Sequence, residues 1–181
     1  MTRHIGLLRG INVGGNNIVP MAALRELLEE VGFAGAQTIL QSGNVVFEAL
    51  VRKADALEAL LETHTKRRFG ADVDWIVRTA DEWDAMIDAN PLPEEAAQDP
   101  SHCLVHCLKS TPTAAQVKAL VSAIPGREIV RSSGRHLYLV YPDGIGKSKL
   151  NMTLIERKLG CSGTARNWNT VLKLQALARA R

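Results

Sequence analysis

The sequence predicts an α+β protein built from two tandem βαββαβ units with antiparallel sheets, and two observations carry that prediction. The same order of short apolar runs and amphipathic stretches occurs twice along the chain. In each copy a serine and glycine turn, Ser42-Gly43 and then Ser132-Ser133-Gly134, lies between two β-prone runs. A proline-rich, acidic stretch at 91–101 separates the copies and reads as a linker. The expected halves are therefore 1–90, with a trailing helix, and 102–181, with a C-terminal helix.

The first half opens with a buried strand over His4–Arg9, which runs into the glycine-rich stretch Gly10, Gly14 and Gly15. After Pro20, Met21, Leu24, Leu27, Leu28 and Val31 recur at helical spacing until Gly32 stops them. Gln37–Leu40 and Asn44–Phe47 form the predicted hairpin, Leu50–Phe69 a helix, Val73–Val77 the fourth strand and Ala80–Ala89 the trailing helix. The second half repeats this order. His102–Leu108 reads as a strand, and Thr113–Ala123 as a helix that Thr113 can cap. Ile129–Arg131 and His136–Tyr141 form the hairpin, followed by a helix from about Lys147 to Leu159. Thr164–Arg166 is a short strand before a last helix capped by Asn167 or Asn169.

The balance of 22 Lys and Arg against 19 Asp and Glu leaves a net charge of +3, so any basic binding surface must be local. The apolar run after Arg3 and His4 is shorter than a secretory signal requires, and no run is long enough to cross a bilayer. The cysteines Cys103, Cys107 and Cys161 are odd in number, which suits a reducing compartment. A cytoplasmic location without membrane attachment is expected.

Three segments could carry chemistry. Gly10 and Gly15 have the spacing of a phosphate-binding P-loop, but Asn16 and Asn17 stand where that motif needs Lys and Ser or Thr. The loop reads either as a plain turn or as a backbone-amide site for a small anion. Lys147 and Lys149 fall at the predicted start of a helix, where exposed amides favour an anion and cations are otherwise poorly placed. Thr164–Thr170 gathers a guanidinium, two amides and an indole in Arg166, Asn167, Asn169 and Trp168, a set that could grip a phosphate and stack a base. Its structural alternative is a helix cap beside a core tryptophan.

Other chemistries fit less well. His102, Cys103, His106 and Cys107 alternate along a strand, so His102 and His106 lie roughly 13 Å apart, too far to share one zinc ion. No metal or cofactor is expected. The βαββαβ topology matches RNA-recognition modules, but the central strands lack the aromatic side chains that stack bases in them. Ser42 and Ser148 have no histidine at a recognisable motif spacing, and Asp72 with Asp74 and Asp81 with Asp84 read as solvated faces.

Leu7–Gly15, Gln41–Phe47 and Thr164–Val171, with Pro142–Leu150 between the last two, closely resemble the bacterial family catalogued as domain of unknown function 1697. The resemblance spans nearly the whole chain. It implies a duplicated ferredoxin-like fold and brings no activity or catalytic residue with it.

The functional expectation is thus a protein that binds a phosphate-bearing or other anionic ligand, with a nucleotide or nucleic acid as the partner class. An enzyme acting on an anionic small molecule, or a protein-interaction module, are the alternatives. The candidate ligand-binding set is Arg9, Asn12, Gly14, Gly15, Asn44, Lys147, Lys149, Arg166, Asn167, Trp168 and Asn169, with Asn12, Asn44, Lys147, Lys149 and Arg166 expected around one polar cleft. The sequence names no catalytic residue and no oligomeric state.

Overall fold

A computed structural model describes residues 1–50 and 53–180. The chain divides into two compact units, Met1–Ala85 with Lys173–Arg181, and Met86–Leu172. Each holds one four-stranded antiparallel sheet with the same connectivity.

In unit 1, strands β1 (Thr2–Leu8), β2 (Ala34–Ile39), β3 (Asn44–Ala49) and β4 (Trp75–Thr79) pair in the order β2-β3-β1-β4. Helix α1 (Met21–Glu30) joins β1 to β2, α2 (Ala54–Phe69) joins β3 to β4, and α3 (Ala80–Asp88) follows β4 without a break. Of the predicted helix over Leu50–Phe69, positions 51 and 52 lie outside the described residues. Strand periodicity places Leu8, Val45, Phe47, Trp75 and Val77 on one sheet face, where Leu24, Leu27 and Leu28 of α1 and Leu57 and Leu61 of α2 close a core. Gly70 ends α2 in the left-handed conformation, at φ 66°, and its N–H donates to the Lys66 carbonyl.

The exposed edge of this sheet is covered from α2. Glu58 and Glu62, one helical turn apart, accept from the backbone N–H groups of Val77 at 2.8 Å and Trp75 at 2.9 Å. These carboxylates occupy donors that an edge strand would otherwise offer to another chain. Glu58 also lies 3.8 Å from the buried guanidinium of Arg78.

Unit 2 takes in the end of α3 from Met86 and then α4 (Pro93–Gln98), which lies inside the stretch that reads as linker in the sequence. Pro93 stands in its first turn, followed by Glu94 and Glu95, a favourable helix start. Strands β5 (Cys103–Leu108), β6 (Ile129–Ser133), β7 (His136–Val140) and β8 (Gly163–Asn167) pair in the order β6-β7-β5-β8. Helix α5 (Ala114–Ser122) carries a complete capping box from Thr113 and Gln116. Helix α6 (Met152–Leu159) joins β7 to β8, and α7 (Trp168–Arg179) follows β8 directly. Leu104, Leu108, Leu137 and Leu139 of the sheet meet Leu120 of α5 and Ile155 and Leu159 of α6 in this unit's core.

Register aligns the two copies residue by residue. Leu8 faces Trp75 and Leu108 faces Gly163, so Trp75 matches Gly163 and Gly6 matches His106. The bulk is exchanged between the partners. A Cβ on Gly6 would sit 2.8 Å from the Trp75 ring, and one on Gly163 would sit 2.5 Å from His106 Nε2.

Candidate functional site

The glycine loop after β1 is a small hairpin closed on itself. Val13 bridges Asn16, and Gly14 and Gly15 turn between them at φ 60° and 78°, a region that glycine enters without steric cost. The Asn16 N–H donates to the Val13 carbonyl and the Asn12 N–H to the Asn17 carbonyl, so both amides are committed within the loop. Asn12, at φ 55°, donates through Nδ2 to the carbonyls of Val19 at 3.0 Å and Gln41 at 2.8 Å, and its Oδ1 accepts from the Val19 N–H at 2.8 Å. Asn12 therefore pins the loop to the β2–β3 turn. Asn44 is fully buried and donates to the Ile39 carbonyl and Ser42 Oγ, both at 3.0 Å, bracing the same turn from inside. Arg9 pairs with Asp74 at 3.3 Å. Gly14 and Gly15 are solvent exposed.

Lys147 and Lys149 do not begin a helix. Residues Ile145–Lys147 form one 3-10 turn, and α6 starts at Met152, where Asn151 Oδ1 accepts from the Leu154 N–H at 2.9 Å. The asparagine thus caps the helix start that the lysines were expected to flank. Both lysines are exposed.

Arg166 is 8% exposed, and its Nη1 donates to Thr164 Oγ1 and to the Ala165 carbonyl, each at 2.8 Å. Arg78, its counterpart in unit 1, folds back on the preceding Val77 carbonyl at the same 2.8 Å. Counting from the helix caps Lys53 and Asn151, Glu58 of α2 matches Glu156 of α6, so each copy carries a glutamate and an arginine at the same places. Only comparison of the two copies could have drawn attention to this arrangement from sequence. Burial pushes the Arg166 guanidinium down to about 10, against a smaller opposing effect of Cys107. Arg166 remains a cation at neutral pH.

The β8–α7 corner is where candidate residues meet an open volume. Asn167 Oδ1 accepts from the Thr170 N–H at 3.0 Å and caps α7, while the Trp168 N–H donates to the Pro100 carbonyl at 3.0 Å. Trp168 and Asn169 line a cavity of about 540 Å³ together with Ile87, Asp88, Asn90 and Ala96. The last four come from α3, α4 and the residues joining them, far along the chain from Trp168. Asn90 is itself held in a turn, its Oδ1 accepting from the Leu92 N–H at 2.9 Å. Asp88 is the charged side chain among the lining residues.

Unit 1 thus contains Arg9, Asn12, Gly14, Gly15 and Asn44, and unit 2 contains Lys147, Lys149, Arg166, Asn167, Trp168 and Asn169. Elsewhere in unit 2, burial pushes the Cys103 thiol up to about 11, with Glu95 and Asp99 adding to the effect, so it stays protonated and unreactive. Among the described residues, no group of three or more His, Cys, Asp or Glu side chains could hold a metal ion, and no helix is long and apolar enough to cross a membrane.

These features define a duplicated α+β protein with a ferredoxin-like sheet in each copy and a ligand-sized cleft in the second. The chain belongs to the family described as "Protein of unknown function (DUF1697)", whose model matches residues 1–138. Its structure is similar to that of conserved bacterial protein SP0830 from Streptococcus pneumoniae, with a TM-score of 0.77 and 23% identity, covering 98% of this chain and 99% of that one. A likeness at that identity is one of fold. No curated protein matches the chain.

Proposed function

We propose that the protein binds a small ligand that joins a planar ring to a phosphate or other anionic group, a nucleotide in the first instance, in the cleft of unit 2. The observation supporting this reading is the cleft at the β8–α7 corner. Its volume of about 540 Å³ lies within the roughly 300–1,000 Å³ usual for small-molecule sites. Trp168 supplies a flat apolar wall, and the exposed Asn169 supplies an amide that can pair with a ring edge. The Asp88 carboxylate opposes a second anion inside, so the ring enters and the charged group stays outside.

Tryptophan fluorescence tests this directly, because Trp75 and Trp83 are fully buried while Trp168 is 9% exposed and borders the cleft. Millimolar AMP and adenosine should quench the emission and raise the melting temperature, and Trp168→Phe should remove the quenching. Inorganic phosphate alone should do neither. No response to any nucleotide, or stabilisation by phosphate equal to that by AMP, would remove the cleft from the proposal.

A further inference from the structure

Unit 1 contains a second, smaller cavity of about 190 Å³, lined by His4, Lys53, Ala54, Val77, Thr79 and Glu82. We propose that it is a binding site for a small carboxylate that also carries an O–H or N–H donor, the class of glycolate, lactate and glycine.

His4 is the first reason. It is 2% exposed, and its Nδ1 lies 2.8 Å from the Thr2 carbonyl. A carbonyl only accepts, so Nδ1 carries the proton, and the neutral ring presents Nε2 as an acceptor. Among the described residues no hydrogen bond reaches Nε2. The ring is held by stacking on Phe47, with centroids 5.6 Å apart and planes 16° from parallel. Nε2 is thus an acceptor on a residue of the cavity wall, and a donor on the occupant would give it a partner.

The duplication shows that the architecture does not demand this residue. His4 pairs with Phe47 and Thr79, and the matching position in unit 2 pairs with Leu139 and Asn167; it is Leu104. Leucine serves there as a core residue. The other lining positions diverge too, with Asn151 matching Lys53 and Thr170 matching Glu82. His4 is thus the polar lining residue that an apolar one replaces in the other copy, and the charges of Lys53 and Glu82 are likewise confined to unit 1.

Lys53 and the start of α2 set the charge of the occupant. Lys53 is the N-cap residue of this helix, where a cation is unfavourable, and no side chain caps the first turn. The Ala56 and Leu57 N–H groups already donate to the Lys53 carbonyl, so an anion at this point would meet the ammonium and the amide of Ala54, which lines the cavity. Glu82, locked at 2.8 Å on the Thr79 N–H, places a carboxylate on the opposite side of the choice. It disfavours a dianion, and the donor that the occupant must bring is set by His4 Nε2. A monocarboxylate with a neighbouring hydroxyl or ammonium group meets both demands.

The experiment is a titration of the full chain with glycolate, lactate, glycine and acetate, followed through the ring nitrogen and carbon resonances of His4. Glycolate, lactate or glycine should shift the Nε2 signal at millimolar concentration. Acetate lacks the donor and should bind about fivefold more weakly, as the loss of one hydrogen bond implies. Lys53→Gln should weaken binding about two- to fivefold. His4→Leu installs the residue that unit 2 uses at this place, so it should fold and lose binding. Unmoved His4 resonances with all ligands, equal affinity for acetate and glycolate, or undiminished binding by folded His4→Leu would each overturn the proposal. Trp168 fluorescence reports the unit 2 cleft separately, so the two sites are distinguished in the same samples.

Discussion

The exchange of bulk between Gly6–Trp75 and His106–Gly163 makes a quantitative prediction about two alanine variants. In Gly6→Ala the new Cβ meets Trp75 Cζ3 at 2.8 Å, against the 3.4 Å at which ordinary contact begins, so the ring must yield by 0.6 Å, the difference of the two. The ring is fully buried and tethered through Nε1, which donates to Thr65 Oγ1 at 2.9 Å. Overpacking of this kind costs about 1–3 kcal/mol. In Gly163→Ala the Cβ lies 2.5 Å from His106 Nε2 and 2.5 Å from the Cys107 carbonyl oxygen, so 0.9 Å is needed. A backbone carbonyl cannot rotate away as a side chain can. This variant should cost about 2–4 kcal/mol, once roughly 1 kcal/mol is added for a disturbed ladder hydrogen bond. Urea titration followed by circular dichroism measures both, with midpoint losses of about 1 M or more for Gly163→Ala at typical slopes. Trp75→Leu combined with Gly6→Ala should be less harmful than the sum of the two, by about 0.5–3 kcal/mol. In the other copy, His106→Ala relieves only one of two contacts and should rescue less. A smaller midpoint loss for Gly163→Ala than for Gly6→Ala, or strict additivity at Gly6 and Trp75, would refute the reasoning.

Three further outcomes are expected. Glu58→Ala removes the carboxylate facing buried Arg78 and the acceptor of the Val77 N–H, and should cost about 3–5 kcal/mol in the same titration. Asn12→Gly loses the side-chain bonds to Val19 and Gln41 but keeps the backbone at φ 55° accessible, so Asn12→Ala should be about 1 kcal/mol less stable than Asn12→Gly when their melting curves are compared. Burial holds His4 below its ordinary value of 6.5, outweighing the Thr2 carbonyl and Glu82, which favour protonation. Its contribution is complete above pH 6.5 and is lost as pH falls below that value and through the lower value of the folded state, because the unfolded chain takes up the proton first. His4→Leu should therefore flatten the acid side of the stability profile measured by chemical denaturation.

Elements were legible where periodicity and caps agreed. Met21, Leu24, Leu27 and Leu28 mark one helical face, and Thr113 with Gln116 begins α5 as a capping box would. Position misled where propensity and a cap competed. Lys147-Ser148-Lys149 are tolerable helix residues, yet Ser148 Oγ accepts from the Leu150 N–H at 2.9 Å and Asn151 starts the helix only at Met152. Pro93-Glu94-Glu95 had the opposite character, a helix start within a composition typical of linkers. Trp168 and Asn169 stood out as a polar motif, but Ile87, Asp88 and Asn90 carry no local signal, since only the fold brings them beside α7. His4 sits in an apolar run and reads as part of a strand. Its unusual feature, a buried ring with one nitrogen committed, exists only in three dimensions.

The two copies serve as controls for one another at a single structural corner, where the last strand of each sheet runs straight into a helix. Arg78 and Arg166 occupy the same place in that strand and make the same backbone contact, which assigns the arginine to the scaffold. One residue beyond, Thr79 and Asn167 each cap the following helix, through Glu82 in the first case and Thr170 in the second. After that the copies part. Unit 1 continues with Ala80 and places Glu82 beside the His4 cavity, whereas unit 2 continues with Trp168 and Asn169 and opens the larger cleft. A requirement of folding should appear in both copies, because both build the same sheet. At this corner, where no exchange of bulk like that of Gly6–Trp75 and His106–Gly163 explains the divergence, the residues that differ are the ones at which ligand chemistry is best sought.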